Sequence, residues 1–283
     1  MKIVVLGSSG MLGWAVGKYF LEEYGEDNVY LSYRNLMHAY GKKYFYFDAK
    51  ACALDFKELY FRLSPIVSEG DYIINCIGVI KPNVESVGVE NTILINSVFP
   101  WVLATFCKNT NTKLIQITTD CVFSGEVVRA HFYTENDLHD PKDVYGKSKS
   151  LGEPTNCMVL RTSIIGEEFH GNLSLVEWAK SQRGKEVTGF GNHLWNGITT
   201  KTYAKVCDAI IKNNWYKEDV FHIFSPEFVD KDRLLHLVND RFNLGLKINR
   251  GFAPAIVNRV LGSVKDLVSK LGIPTIEKQI EEM

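Results

Sequence analysis

Several features are missing from this chain of 283 residues. No block of lysine and arginine stands out, and 32 basic residues against 33 acidic ones leave a formal net charge of -1. Without a basic stripe there is no electrostatic footprint for nucleic acid. A local pocket for an anionic ligand is not excluded, because net charge does not report it. No apolar stretch approaches the ~18 residues that would cross a bilayer, so no membrane partner is expected. The run KIVVL at 2–6 leads straight into glycine rather than into the longer apolar core of a secretory leader. Six cysteines (Cys52, Cys76, Cys107, Cys121, Cys157 and Cys207) are scattered, with no C-x-x-C and no histidine at zinc spacing. Reduced thiols, no metal site and a cytoplasmic location are the expectations. There are no internal repeats and no low-complexity linkers.

What is present is the composition of a globular protein, 46% hydrophobic and 23% charged. Its length suits one main domain with a smaller appendage. Short apolar runs at 2–6, 29–33, 44–47, 72–77, 114–118 and 157–161 read as strands covered on both faces, because they lack polar alternation. Between them lie amphipathic segments at 11–24 and 93–107, and a later helical period runs over 200–213. Strand alternating with helix predicts α/β: a Rossmann-type doubly wound parallel sheet with right-handed crossovers. Past residue 161 the rhythm is lost. We expect a dinucleotide-binding domain over 1–163 plus 198–219, and a smaller, discontinuous C-terminal substrate lobe over 164–197 plus 220–283.

GSSGMLG places Gly7, Gly10 and Gly13 after the first strand and at the opening of a helix. Glycines there permit a tight turn and let a pyrophosphate approach the backbone, while the helix N-terminus offers unpaired N–H groups and partial positive charge. Dinucleotide binding is the reading, and glycine kept only for packing is its alternative. The next strand reads VYLSYRN, with Arg34 where an acidic residue would hold the ribose 2′-OH of NAD. Arginine accommodates a 2′-phosphate, so NADP(H) is favoured over the alternative of a solvated surface arginine. Asp48, after the third strand, is a candidate for the adenine end or for a helix cap.

DVYGKSKSLGE puts Tyr145 and Lys149 four apart, on one helical face. An ordinary phenol is a poor acid–base group at neutral pH; a neighbouring ammonium lowers its pKa and can also bond the nicotinamide ribose. A second Y-x-x-x-K, Tyr46 to Lys50, starts inside a predicted strand, where that spacing does not juxtapose side chains, and it is set aside.

With these residues in order the chain resembles the extended short-chain dehydrogenase/reductases, and within them the dTDP-4-dehydrorhamnose reductase-like branch. The resemblance is carried by GSSGMLG at 7–13, NCIGVIKP at 75–82, ITTDCVFSG at 117–125, YGKSKSLGE at 145–153 and LRTSIIG at 160–166. It implies that Ser9, Met11, Leu12, Cys76 and Gly78 line the cofactor alongside the three glycines. It also implies that Thr119 hydrogen-bonds the substrate carbonyl oxygen, Tyr145 donates the proton and Lys149 tunes it. A nucleotide-linked 4-keto-6-deoxy sugar is the implied substrate, NADP(H) the cofactor and a homodimer the family-level assembly. Asp120, Trp195 and Asn196 are the candidate substrate contacts, a buried packing tryptophan being the alternative for Trp195.

The chain departs from the family's pattern at two places. Pro154 follows Gly-Glu where a helix normally continues, and Cys121 stands where the family usually has tyrosine. Relatives that both epimerise at C3 and C5 and reduce at C4 carry a cysteine there, so Cys121 is a possible epimerase residue; a small side chain filling a strand end is the alternative. Three readings result. A plain reductase is preferred, an epimerase-reductase is the runner-up, and a non-catalytic regulatory subunit with the same fold is the reading from another class.

Overall fold

The computed structural model describes residues 1–126, 132–169, 171 and 173–283. Its centre is a seven-stranded sheet in which every neighbouring pair is parallel. The strands are β1 (Ile3–Leu6), β2 (Val29–Tyr33), β3 (Tyr44–Tyr46), β4 (Tyr72–Asn75), β5 (Lys113–Thr119), β6 (Met158–Thr162) and an edge strand, Asp219–His222. From the opposite edge, their order is β3, β2, β1, β4, β5, β6 and the edge strand. Connections run one way from β1 to β3 and the other way from β4 onward, so a crevice opens between β1 and β4 at the carboxyl ends. Open doubly wound sheets bind ligands at that switch point.

Alternation along the strands distributes the core. Ile3 and Val5 face helix α1 (Met11–Tyr24) and the helix Thr200–Lys212. Val4 and Leu6 face the helix Phe99–Thr110 on the other side. Two tyrosines of α1 tie the first layer together, Tyr19 and Tyr24 donating to Asp208 at 2.9 and 2.7 Å. The segment expected as one helix over 93–107 instead passes through a wider π turn, Leu94–Val98. Pro100 cannot donate to the carbonyl of Asn96, and the wider turn accommodates that missing bond.

A separate small core joins the helices Leu175–Ser181 and Lys231–Phe242 with Trp195, Ile276 and Ile280. The boundary expected at 219 needs correction. It falls inside the edge strand, which pairs with β6 from Asp219↔Met158 to His222↔Arg161 and so belongs to the main sheet. Leu267 and Ile273 also return to the main core.

Arg161 of β6 explains two of the motifs. Fully buried, it donates to both carboxylate oxygens of Glu153 (3.1 and 2.6 Å), to His222 Nε2 (2.6 Å) and to His139 Nε2 (2.8 Å). The Gly-Glu that ends YGKSKSLGE is thereby clamped to the Leu-Arg-Thr of the next strand. Among the described residues no helix is long and apolar enough to cross a membrane.

Candidate active site

The first cofactor element is the turn between β1 and α1. A Cβ placed on Gly13 would lie 2.1 Å from the carbonyl oxygen of Gly7, so only glycine lets the helix press on the turn. Ser32 of β2 fixes the turn from the side, its hydroxyl accepting from Gly7 N–H at 2.9 Å. Helix α1 follows Gly10 at its N-cap position, with no side-chain cap and no acidic residue in its first turn. Its N-terminal N–H groups and partial positive charge face the crevice, as an anionic pyrophosphate requires.

Two cavities of about 380 and 470 Å³ share Gly10, Cys76, Gly78 and Asn83, and form one cleft over the switch point. Each is of the size that small-molecule sites take. The first is walled by Gly7, Ser9, Arg34, Asp48 and Lys50. The second is walled by Met11, Leu12, Thr119, Asp120, Cys121, Tyr145 and Lys149. Gly13 lines neither and acts through packing. Asp48 reaches the cleft wall, yet one of its oxygens already accepts from Lys50 N–H (2.8 Å) and Ala51 N–H (3.2 Å), making it the cap of the helix Ala49–Leu54. Arg34, exposed just beyond β2, is one of two cations at that end of the cleft, the other being Lys50. An open wall with an arginine, a glycine turn and a free helix N-terminus fits a phosphorylated dinucleotide.

Tyr145 and Lys149 sit on the helix Val144–Leu151. Asp143 caps it, accepting from Gly146 N–H at 2.8 Å, and pairs with Lys81 at 2.7 Å. A cap of this kind contributes about 1 kcal/mol. Gly146 lets the helix lie against the end of β5; a Cβ there would stand 2.3 Å from the carbonyl oxygen of Cys121. Tyr145 and Thr119 meet in the second cavity for this reason. Pro154 falls outside the helix and leaves both residues in place. Tyr46 and Lys50, the rejected pair, lie on β3 and a separate helix.

Burial raises the phenol of Tyr145 above its ordinary value, with Cys121, Asp120 and Asp143 adding to the rise and Thr119's hydroxyl placed to oppose it. The lowering expected from Lys149 is not among the leading influences. Lys149 points instead toward β4, where a Cβ on Gly78 would touch its Nζ at 2.6 Å. Burial brings this ammonium down to about 8, against Cys76 and Glu153. Tyr145 is thus a protonated phenol at neutral pH, a donor rather than a base. Burial also pushes the Cys121 thiol up to about 12, and the charge of Asp120 adds to the shift.

Trp195 and Asn196 line neither cavity. The indole N–H of Trp195 donates to Ser163 Oγ at 2.8 Å. Asn196 donates to Leu261 O (2.8 Å) and accepts from Leu261 N–H (2.9 Å), which occupies its amide in clasping the backbone of that C-terminal segment. Both are buried, with their side-chain polar atoms taken by these bonds, and Ser163, the partner of Trp195, lines the second cavity. Sequence reasoning missed Ser32, Asn83, Lys231 and Arg259. Asn83 directly follows the quoted NCIGVIKP and could have been found there. Lys231 and Arg259 act on Asp120 from the far end of the chain, and no local pattern marks them.

A glycine cradle and a phenol–ammonium pair on one edge of a doubly wound sheet make up the arrangement of the extended short-chain dehydrogenase/reductases, and the chain is of that class. Within it, residues 1–243 match the family described as RmlD substrate binding domain, and the chain belongs to that family. It is 25% identical over 193 residues to a dTDP-4-dehydrorhamnose reductase of Aggregatibacter actinomycetemcomitans, a match covering 60% of this chain and 63% of the relative. It is also 25% identical over 269 residues to methionine adenosyltransferase 2 subunit beta of Danio rerio, covering 86% and 74%. The crystal structure of dTDP-4-dehydrorhamnose reductase from Bacillus anthracis in complex with NADP superposes with a TM-score of 0.76 at 18% identity, covering 100% of this chain and 98% of that one. Two of the curated relatives are spanned over only 48% and 63% of their lengths.

Proposed function

We propose that the protein reduces the keto group of a nucleotide-linked 4-keto-6-deoxy sugar with NADPH, in deoxysugar biosynthesis of the rhamnose type. The observation that carries this reading is the meeting of Thr119, Tyr145 and Lys149 in one cavity that is continuous with the glycine cradle. NADPH, when bound, supplies the hydride. The glycine turn with the N-terminus of α1 would hold its pyrophosphate, Arg34 its 2′-phosphate, and Lys149 its nicotinamide ribose. Tyr145 would deliver a proton to the carbonyl oxygen. Burial raises the pKa of the alcohol forming beside it as well as that of the phenol, so the phenol stays matched to the oxygen it protonates. The buried setting strengthens each polar contact to that oxygen.

The chemistry of Cys121 favours the plain reductase over the epimerase-reductase. Removing a sugar ring proton needs a thiolate, and a thiol with a pKa of about 12 supplies almost none at neutral pH. Similarity to a subunit named for methionine adenosyltransferase is the observation behind the regulatory reading. A regulator has no use for the buried phenol and ammonium that line this cleft. The test is to offer dTDP-, UDP- and GDP-linked 4-keto-6-deoxy sugars and follow NADPH oxidation at 340 nm (approximately the nicotinamide absorption band), then determine the stereochemistry of the product at C4. Failure to oxidise NADPH with every member of the panel would sink the reductase reading.

A further inference from the structure

We propose that Lys50 is a second specificity residue for the cofactor: with Arg34 it clasps the ribose 2′-phosphate of NADP(H), and it offsets the carboxylate of Asp48 beside them. This rests on the NADPH reading above and deepens it. The lysine of the set-aside Tyr46–Lys50 pair thereby gains a part that neither the glycine spacing nor the arginine after β2 assigns.

Parallel pairing of β2 with β3 brings Arg34 and Lys50 to one edge of the cleft. Tyr33 stands opposite Tyr46, and Phe47 N–H donates to Tyr33 O at 3.0 Å, so the two strands end together. Arg34 directly follows β2, and Lys50 lies in the first turn of the helix Ala49–Leu54. The backbone of Lys50 is fixed there, its N–H donating to Asp48 Oδ1 at 2.8 Å. Both side chains are exposed and line the first cavity, together with Ser9 and Gly10 of the glycine turn. The neighbouring cations are already engaged. Arg62 pairs with Glu58 at 2.7 Å and lies 5.2 Å from the ring centre of Tyr46. Lys42 pairs with Glu26 at 3.1 Å, and Lys43 donates to Asp27 O at 2.6 Å. Among the described residues, the side chains of Arg34 and Lys50 have no protein acceptor.

Charge decides what the pair can hold. Apart from the thiol of Cys76, the ionisable side chains that wall the first cavity are Arg34, Asp48 and Lys50. A phosphate monoester carries about −1.5 to −2 charge at neutral pH. Arg34 and Asp48 alone would cancel, and the phosphate would meet a wall with no net charge. Lys50 makes that wall positive. A planar guanidinium can fork onto two phosphate oxygens, and an ammonium adds a point charge for the third. NAD, whose ribose carries a hydroxyl at that position, gains nothing from the second cation.

The test is binding of 2′,5′-ADP and of 5′-AMP to the full-length protein, measured by calorimetry for wild type, Lys50→Ala and Lys50→Arg. The two fragments present adenosine with and without the 2′-phosphate, and neither requires a sugar substrate. Lys50→Ala should weaken 2′,5′-ADP about five- to tenfold and leave 5′-AMP within about twofold. Its 2′,5′-ADP affinity should also respond less than that of wild type to salt raised from about 0.05 to about 0.5 M. Lys50→Arg, which keeps the charge, should stay within about threefold of wild type for both fragments. A wild-type preference for 2′,5′-ADP that survives Lys50→Ala overturns the proposal and leaves the NADPH reading standing. An equal loss of both fragments also overturns it, since that is damage to the adenosine pocket. Wild type that binds both fragments equally overturns the proposal together with the NADPH reading.

Discussion

At its cofactor end the cleft is made of sequence neighbours. Gly7 to Gly13, Ser32 to Arg34, Asp48 to Lys50 and Cys76 to Gly78 each lie at the carboxyl end of one strand, and a parallel sheet brings those ends into one row. At its substrate end, Thr119 comes from the end of β5, Asp120 and Cys121 from the short turn after it, Tyr145 and Lys149 from a helix, and the cations Lys231 and Arg259 from the C-terminal lobe. The first end is assembled by topology that any doubly wound sheet shares. The second depends on how a particular lobe packs over the sheet. Cofactor binding should therefore be robust and general, while substrate chemistry is local to this chain.

The largest effect should fall at the substrate end. Tyr145→Phe should lower kcat by about 10²- to 10⁴-fold while NADPH binding, followed by fluorescence, stays within about threefold. Loss of NADPH binding in that variant would erase the distinction between the two ends. At the cofactor end, Arg34→Ala should raise KM for NADPH by about tenfold and leave NADH use unchanged, since a charge-assisted contact to phosphate contributes about 1.5–3 kcal/mol. An unchanged KM for NADPH would return Arg34 to the role of a solvated surface residue, and a parallel loss with both cofactors would remove the 2′-phosphate from its role.

A smaller and more gradual effect concerns what joins the two ends. His222 Nδ1 donates to the carbonyl oxygens of Tyr133 (3.0 Å) and Gly262 (2.8 Å), leaving Nε2 to accept from Arg161. Protonation would set a second cation against the guanidinium. Burial, with Arg161 behind it, brings this imidazole down to about 4 from its ordinary 6.5. Below pH ~6.5 the unfolded chain takes up a proton that the folded chain refuses. Stability, measured by denaturant unfolding, should thus be flat above that pH and fall as pH drops toward 4. His222→Asn should remove part of that slope.

How much could be read beforehand follows the same division. β1 to β6 were legible because strands covered on both faces are continuous apolar runs, and the helix of residues 11–24 because its stripe is regular. The edge strand Asp219–His222 was assigned to the wrong body, since a single short run does not say which sheet it will join. The candidate cofactor residues are legible through glycine spacing and the arginine after β2, and all but Gly13 line the cleft. Tyr145 and Lys149 were found from spacing plus the strand before them. Trp195 and Asn196 are candidate substrate contacts only by position along the chain; their side-chain polar atoms bond Ser163 and Leu261. Lys231 and Arg259 stayed hidden because only tertiary packing brings them to Asp120.

The smallest effect is expected at Cys121, and it bears most directly on what the site does. Reduction is run in D₂O with NADPH, and the product sugar is examined by NMR for wild type and Cys121→Ser. A plain reductase gives a product with protium at C4 from the cofactor and no deuterium at C3 or C5, and the serine variant turns over within about threefold of wild type. Deuterium at C3 or C5 that disappears in Cys121→Ser would contradict the account and make the protein an epimerase-reductase.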